Sequence, residues 1–230
     1  MKCSCCELRS CVSRVPVFKG LSDSELAQID AIIDSGNYSK GDLIFREGEE
    51  SDSLFVLNNG LIKLTRTNQE GKEHIVRFLF PGDYFGQFSL FQKKQNYVNA
   101  EMIEDGTVCR LHRKDFLPLL HSNAALACNF LSSMSEQLYH AEDWAAAMHI
   151  MEADKRLAKI LLYFHSKAPS AKRVILPASK KEIAAMIGTT AETFSRKLAQ
   201  LEEMNLILLS KRAVNILDLE AIREMAGENK

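Results

Sequence analysis

The feature that most constrains the fold is a change of hydrophobic period near Lys114. Between Asn37 and Leu111 the chain consists of short β-rich runs separated by turns that contain glycine. The predicted strands are residues 43–45, 54–57, 61–65, 74–80 and 108–111. From about Lys114 onward, apolar residues recur at helical spacing instead. The sequence therefore predicts a small antiparallel roll or barrel followed by helices.

Turn residues and a capping pattern add detail to this region. Asn58-Asn59-Gly60 and Asn68-Gln69-Glu70-Gly71 are each typical of a hairpin turn between two strands. Ahead of the roll, Ser22 is followed three residues later by Glu25, which is a capping-box pattern. Apolar residues follow at helical spacing and predict a short helix: Leu26, Ile29, Ile32 and Ile33.

A long helix is predicted after the roll. Its apolar residues alternate steps of three and four, as in the seam of a coiled coil. These residues are Leu131, Met134, Leu138, Ala141, Ala145 and Met148. The helix could lie buried in a monomer, but the small alanines favour a helix that meets its twin. Residues 153–164 predict a further helix, which Ala168-Pro169-Ser170 would end.

Charge is distributed unevenly along the chain. The net charge is −1, yet residues 155–212 hold twelve Lys and Arg against four Glu, a local charge of +8. A basic carboxyl-terminal third in an otherwise acidic chain is expected when one domain binds the phosphates of a nucleic acid. A basic surface that is exposed only to solvent would have the same composition. No apolar stretch approaches membrane-spanning length, and the amino terminus lacks the apolar core of a signal peptide. We expect a cytoplasmic protein without a membrane partner.

Residues 180–201 have the spacing of a helix-turn-helix. Ala184 is small where two helices pack, Gly188 permits a left-handed turn, and Phe194 falls on the buried face of the second helix. The second helix of such a unit enters the major groove of double-stranded DNA. The candidate DNA-binding residues are Thr190, Glu192, Thr193, Ser195, Arg196 and Lys197.

The side chains of this second helix suit DNA. Arg196 can donate two hydrogen bonds to guanine, Glu192 can accept from cytosine, and Ser195 can contact a base or a phosphate. Lys197 is a candidate for a phosphate contact. The alternative is a surface helix with scattered polar groups, but the helix-turn-helix spacing and the local positive charge favour DNA binding.

Six cysteines suggest a metal or redox site. Four of them, Cys3, Cys5, Cys6 and Cys11, lie within nine residues. In a cytosolic chain such a group is typical of metal binding or redox chemistry. Cys3, Cys6 and Cys11 could supply three thiolates, with Cys5 as a possible substitute. The candidate fourth ligand is Cys109 in a predicted strand.

The remaining candidate groups predict little chemistry. Cys128 lies in an apolar helical stretch, so we expect a buried thiol without a role. The six histidines show no metal-ligand spacing. We find no nucleophile–base pair, phosphate loop or spaced carboxylates, and therefore expect no enzyme.

Together these residues resemble the CRP/FNR family of transcription regulators. In the roll, the motifs are Lys40-Gly41-Asp42, Asn59-Gly60-x-Ile62-Lys63 and Pro81-Gly82-Asp83-x-x-Gly86. The second helix of the helix-turn-helix, which we call the reading helix, contains Glu192-Thr193-x-Ser195-Arg196. The resemblance implies a TTGAT-type inverted repeat, a homodimer and RNA polymerase as a partner. Members that bind cyclic AMP have Glu after the glycine matched by Gly86 and an Arg-Ser or Arg-Thr pair further on. This chain has Gln87 and Tyr97-Val98, so we expect no cyclic nucleotide.

The resemblance also bears on the cysteines. FNR oxygen sensors hold a [4Fe-4S] cluster with three amino-terminal cysteines and one in the strand matched by Cys109. The residues 11–18 also resemble FNR-like proteins of Gram-positive bacteria that use a thiol–disulfide pair, here Cys11 and Cys109. A [4Fe-4S] cluster is our expectation; the disulfide switch, zinc and the absence of any ligand remain alternatives.

The expected architecture is α+β, with a cyclic-nucleotide-binding-like β-roll, a long dimerisation helix and a winged helix-turn-helix. The domains are a cysteine-rich segment at 1–20, the roll at 21–124, the dimerisation helix at 125–152 and the DNA-binding domain at 153–230. The expected function is transcription regulation in response to oxygen or redox state. An electron-carrying metalloprotein and a cyclic-nucleotide regulatory subunit are the alternatives from other classes.

Overall fold

The computed structural model describes residues 15–92, 95–167, 173–211 and 213–228, and it divides into compact units at 1–139 and 140–230. The first described elements of the first unit are a 3-10 turn, Pro16–Phe18, and helix α1, Asp23–Ile32. Ser22 and Glu25 form the predicted capping box at the start of α1. Strand β1, Ile33–Tyr38, follows at once, so Ile33 belongs to a strand and not to the predicted helix.

One antiparallel sheet forms the roll. Its further elements are β2, Leu43–Phe45; β3, Ser53–Thr67; β4, Glu73–Leu79; β5, Tyr84–Phe85; helix α2, Gln87–Gln92; and β6, Asn99–His112. The strand order is β1-β6-β3-β4, with β2 paired to β6 and β5 paired to β3. The short helix α2 was not predicted.

The two predicted hairpin turns have different outcomes. Asn68 and Gly71 do form the turn between β3 and β4, where the Gly71 amide donates to the Asn68 carbonyl at 3.0 Å. The hairpin predicted at Asn58-Asn59-Gly60 is wrong, because β3 runs straight through these residues with a shift of register against β6. Gly60 has φ +89°, and a Cβ there would lie 2.9 Å from the Asp105 carbonyl oxygen. The glycine therefore serves an irregular pairing and not a chain reversal.

Strands β3 and β6 supply side chains to two separate cores. Val56 and Cys109 pair across the strands and lie in a cluster with residues of the 3-10 turn, α1 and later helices. Their neighbours Leu57 and Val108 pair in the same way but belong to the second cluster inside the roll. This alternation follows from the two-residue period of a strand.

Two helices follow the roll: α3, Arg113–Ser122, and α4, Ala124–Ile150. The bounds of α4 are close to the predicted 125–152. Within the first unit, Phe130 of α4 packs in the core, whereas Leu131 and Leu138 remain 68% and 60% exposed. Among the residues described, no helix is both long enough and apolar enough to cross a membrane.

The second unit is a small helical domain with a three-stranded sheet. Its elements are α5, Ala153–Ser166; β7, Arg173–Ile175; α6, Lys180–Met186; α7, Ala191–Glu203; β8, Ile207–Ser210; β9, Ala213–Ile216; and α8, Leu219–Ala226. The strand order is β7-β9-β8. The sequence predicted the β8–β9 pair but not β7. The predicted α+β class, with roll, long helix and winged helix-turn-helix, is confirmed.

Candidate nucleic-acid interface and cysteine site

Helix α7 begins at a threonine cap. The Thr190 hydroxyl accepts a hydrogen bond from the Thr193 amide at 3.1 Å, and the two hydroxyl oxygens are also 3.1 Å apart. An N-cap of this kind satisfies a backbone amide that the helix leaves open. Two of the six candidate DNA-binding residues, Thr190 and Thr193, therefore also build the start of the helix.

Helix α7 has a buried face and an exposed face. Phe194 and Leu198 are buried in the second unit, as predicted for Phe194. The side chains of Glu192, Ser195 and Arg196 are exposed. The guanidinium of Arg196, the carboxylate of Glu192 and the hydroxyl of Ser195 thus all lie on the surface of the first two turns of α7. These groups suit contacts to base edges.

Lys197 differs from these three residues. Its side chain is only 30% exposed, and its Nζ lies 3.9 Å from Oδ2 of Asp154 in the first turn of α5. A pair at this distance contributes little to stability. It does bring the ammonium group to α5, a position that the sequence did not indicate.

The turn before α7 depends on Gly188. Its φ is +65°, in the left-handed region predicted for this residue from the sequence. A Cβ at Gly188 would lie 2.6 Å from Cε of Met148, so the last turns of α4 pack closely against this turn. Any other residue would be strained in its backbone and would displace Met148.

Cys109 lies in the core of the first unit. It is 2% exposed and belongs to the same buried cluster as Val15, Val17 and Phe18. The first described residues of the chain are therefore packed into the core that holds this thiol.

The predicted amino-terminal ligands Cys3, Cys5, Cys6 and Cys11 lie outside the described residues. Within residues 15–92, 95–167, 173–211 and 213–228, no three or more His, Cys, Asp or Glu side chains form a metal-binding group. A metal centre at Cys109 would need the thiolates of the amino-terminal segment. A cysteine thiolate is the donor that iron–sulfur clusters take in proteins, so the residue type fits that group.

Cys128 was expected to be buried, and this prediction is wrong. It is exposed on α4, three residues before the exposed Leu131. Burial was predicted from the apolar neighbours Phe130 and Leu131, but these two residues lie on different faces of the helix. Phe130 is buried, and Cys128 shares the side of Leu131.

A polar contact joins α2 to α4 within the first unit. Gln87 is 8% exposed, and its Nε2 donates to Oε1 of Gln137 at 3.2 Å. In β5, burial raises the pKa of the Tyr84 hydroxyl above its usual value. Tyr97 is exposed, and its ring meets that of Phe88 edge-on at a centroid distance of 5.0 Å. Gln137 was not predicted as a functional residue, since a glutamine on a helix carries no distinctive pattern.

Comparison with known proteins agrees with both units. Residues 36–123 match the Cyclic nucleotide-binding domain family, and residues 155–225 match the Crp-like helix-turn-helix domain family. The chain is 30% identical to the "Probable transcriptional regulator flp" of Lacticaseibacillus casei over 94% of this chain and 98% of that one. The chain belongs to the CRP/FNR family of transcription regulators. It is a DNA-binding protein of that family.

This CRP/FNR regulator also resembles relatives with different names. It is 28% identical to the Cyclic AMP receptor protein of Thermus thermophilus, covering 92% of this chain and 96% of the relative. It is 26% identical to the Anaerobic regulatory protein of Pasteurella multocida, covering 91% and 78%. The solved structure of FixK2 from Bradyrhizobium japonicum superimposes with a TM-score of 0.76 over 84% of this chain and 97% of that chain, at 24% identity. The last comparison supports the fold.

Proposed function

We propose that this CRP/FNR regulator binds an inverted repeat as a homodimer and responds to oxygen or redox state through its cysteines. The proposed domains are the segment 1–20, the roll 21–124, the dimerisation helix 125–152 and the DNA-binding domain 153–230. RNA polymerase is the proposed protein partner in transcription.

The proposed reading element is the exposed face of α7. Arg196 pairs with a guanine of a TTGAT-type half-site, Glu192 accepts a hydrogen bond from a cytosine, and Ser195 contacts a base or a phosphate. Thr190 and Thr193 hold the start of the helix and offer hydroxyls there. Lys197 contacts a phosphate, and Asp154 competes for its ammonium group.

The proposed dimer contact is the apolar stripe of α4. Leu131 and Leu138 are large apolar side chains that the first unit leaves mostly exposed. Their seven-residue spacing is that of a coiled-coil position, which suits pairing with the same helix of a second copy. A two-fold dimer then places two reading helices about one DNA turn apart, roughly 10 base pairs.

The proposed sensor rests on one observation: Cys109 shares a buried cluster with Val15, Val17 and Phe18. Cys11 precedes Val15 by four residues, a span of at most about 14 Å when extended. The packed 3-10 turn therefore tethers the cysteine-rich segment to the core that contains Cys109. The name of the Pasteurella multocida relative, an anaerobic regulator, is consistent with such a sensor.

Cys3, Cys6, Cys11 and Cys109 would hold a [4Fe-4S] cluster, with Cys5 as a substitute for one of the first three. Such a cluster supplies oxygen-sensitive redox chemistry when it is bound. The chain's own contribution is to join the amino terminus to β6. To shift the regulator from a 1:99 to a 99:1 ratio of two conformational states, the cluster would have to favour one state over the other by about 5.5 kcal/mol.

A cyclic nucleotide is not the proposed effector. The Gln87 amide is buried and already bonded to Gln137, and Tyr97 supplies no positive charge for a phosphate. Cyclic AMP is therefore expected to leave DNA binding unchanged.

The deciding experiment is a visible absorption spectrum of anaerobically purified protein, with iron and sulfide analysis and DNA binding before and after exposure to air. We expect a brown protein that binds DNA, loses its colour in air and then releases the DNA. A colourless anaerobic protein that forms a Cys11–Cys109 disulfide on oxidation would overturn the cluster in favour of the thiol switch. A colourless protein whose DNA binding also does not change in air would overturn redox sensing altogether.

A further inference from the structure

One basic side chain of the second unit faces backbone carbonyl groups. The guanidinium of Arg156, in the first turn of α5, donates from Nη1 to the Met151 carbonyl at 2.6 Å and from Nε to the Ile187 carbonyl at 2.8 Å. Its Nη2 reaches the Gly188 carbonyl at 3.3 Å. A single side chain thus contacts both the residue that follows α4 and the turn that precedes α7.

These carbonyls lie at the carboxyl ends of two helices. Met151 comes directly after α4, and Ile187 is the cap residue after α6. The last carbonyls of a helix lack partners within the helix and form the negative end of its dipole. The planar fork of an arginine, with five donors and a permanent charge, can satisfy both ends at once. A lysine ammonium has the charge but not this fixed fork.

The contacted turn determines where the reading helix begins. Gly188 and Thr189 lead directly to Thr190, the cap of α7, and the exposed Glu192, Ser195 and Arg196 lie in the next two turns. Met148 packs on Gly188 from the α4 side. The Arg156 hydrogen bonds and the Met148 contact therefore attach the turn to the end of α4.

We propose that Arg156 is a positioning residue for base recognition. It holds the turn of the helix-turn-helix to the end of α4 and thereby fixes the placement of the α7 side chains that read DNA. The inference rests on the proposed role of α7 in base reading and is independent of the cysteine sensor. It also assigns Arg156 to backbone carbonyls and not to DNA phosphate, although the residue belongs to the basic third of the chain.

The test compares Arg156→Gln and Arg156→Lys with wild type in the full-length protein. Lys155→Gln is the matched control, because Lys155 is the exposed neighbour and its loss removes the same charge. The probe is the duplex that wild-type protein selects from a random pool, with a scrambled duplex as the reference. Dissociation constants for both duplexes are measured over a range of salt concentrations.

We expect Arg156→Gln to lose about tenfold in the preference for the selected duplex, similar to the effect of one mismatched base pair. Binding to the scrambled duplex and its salt dependence should stay at the wild-type values. Arg156→Lys should lose preference to a smaller extent, because it retains the charge without the fork. Hydrogen exchange of residues 186–194 should be faster in both variants and unchanged in Lys155→Gln.

Other outcomes overturn the proposal in distinguishable ways. A uniform loss of affinity for both duplexes, with a salt slope reduced by about one, would make Arg156 a phosphate contact. Full retention of preference in both variants would overturn this inference alone. A wild-type protein that selects no sequence would overturn base reading by α7 and this inference together. If Arg156→Gln does not fold, Arg156→Lys decides by the same measurements.

Discussion

The side-chain amide of Gln87 on α2 donates to the side-chain oxygen of Gln137 on α4 at 3.2 Å. The donor is almost fully buried, so water cannot replace this bond without a local opening of the contact. The roll and the first half of the long helix are thus joined by a side-chain hydrogen bond.

Removal of either glutamine should destabilise the first unit. We expect Gln87→Ala and Gln137→Ala to lower the free energy of unfolding non-additively, with a coupling of about 0.5–1.5 kcal/mol. A double-mutant cycle by urea unfolding measures this coupling. Gln92→Ala, an exposed position at the end of α2, serves as the control and should change little. Strictly additive single substitutions would show that the two amides do not interact in solution.

Leu138→Glu should separate the proposed dimer. A carboxylate in an apolar helix–helix seam loses its hydration without a partner, which opposes association. Sedimentation velocity should show a shift to monomer, and binding to a palindromic duplex should weaken although α7 is intact. Ser132→Glu is the control, since Ser132 is exposed on α4 but lies off the stripe of Leu131 and Leu138. A wild-type monomer bound to the palindrome would refute the dimer.

Arg196→Ala should relax base preference. Loss of a bidentate guanine contact costs about 1–3 kcal/mol at one position of the site. Lys197→Ala, by contrast, should weaken binding to all sequences alike. Competition binding with duplexes substituted at each position separates the two effects. If Arg196→Ala retains full discrimination at every guanine, another residue of α7 reads the groove.

Cys109→Ser should abolish the visible absorbance of the anaerobic protein, because the proposed cluster loses its ligand from β6. Cys128→Ser should retain the colour, since Cys128 lies exposed on α4, away from the core that holds Cys109. Absorbance per iron, measured in an anaerobic chamber, checks both variants. A Cys109→Ser protein that remains brown would show that the ligands come from elsewhere.

Periodicity predicted those elements whose burial repeats regularly. The capping residues Ser22 and Glu25, the long helix α4 and the buried Phe194 of α7 were all accessible from local patterns. The prediction failed where a residue type serves two geometries. Gly60 permits a tight turn, but it also permits the close approach of β3 to β6, and only the partner strand distinguishes them.

The contacts of polar side chains were less predictable than the elements that carry them. From the sequence, Arg156 was only one of the positive charges of residues 155–212 and Lys197 was a candidate phosphate contact, yet Arg156 faces carbonyls and Lys197 lies near Asp154. Cys128 was misassigned because adjacent apolar residues can lie on opposite sides of a helix. These outcomes depend on tertiary packing, which composition and spacing do not encode directly.

The ladder between β3 and β6 has a consequence for synthesis of the chain. Ser53 pairs with His112 and Thr65 with Asn99, so the central pairing of the roll closes a long loop. Such non-local pairing is slow to form, and at about 5–20 residues per second β3 emerges from the ribosome seconds before its partner. Cys109 pairs with Val56, toward the end of the ladder that closes the longer loop. The thiol is thus covered only after residues more than fifty positions apart in the chain have paired.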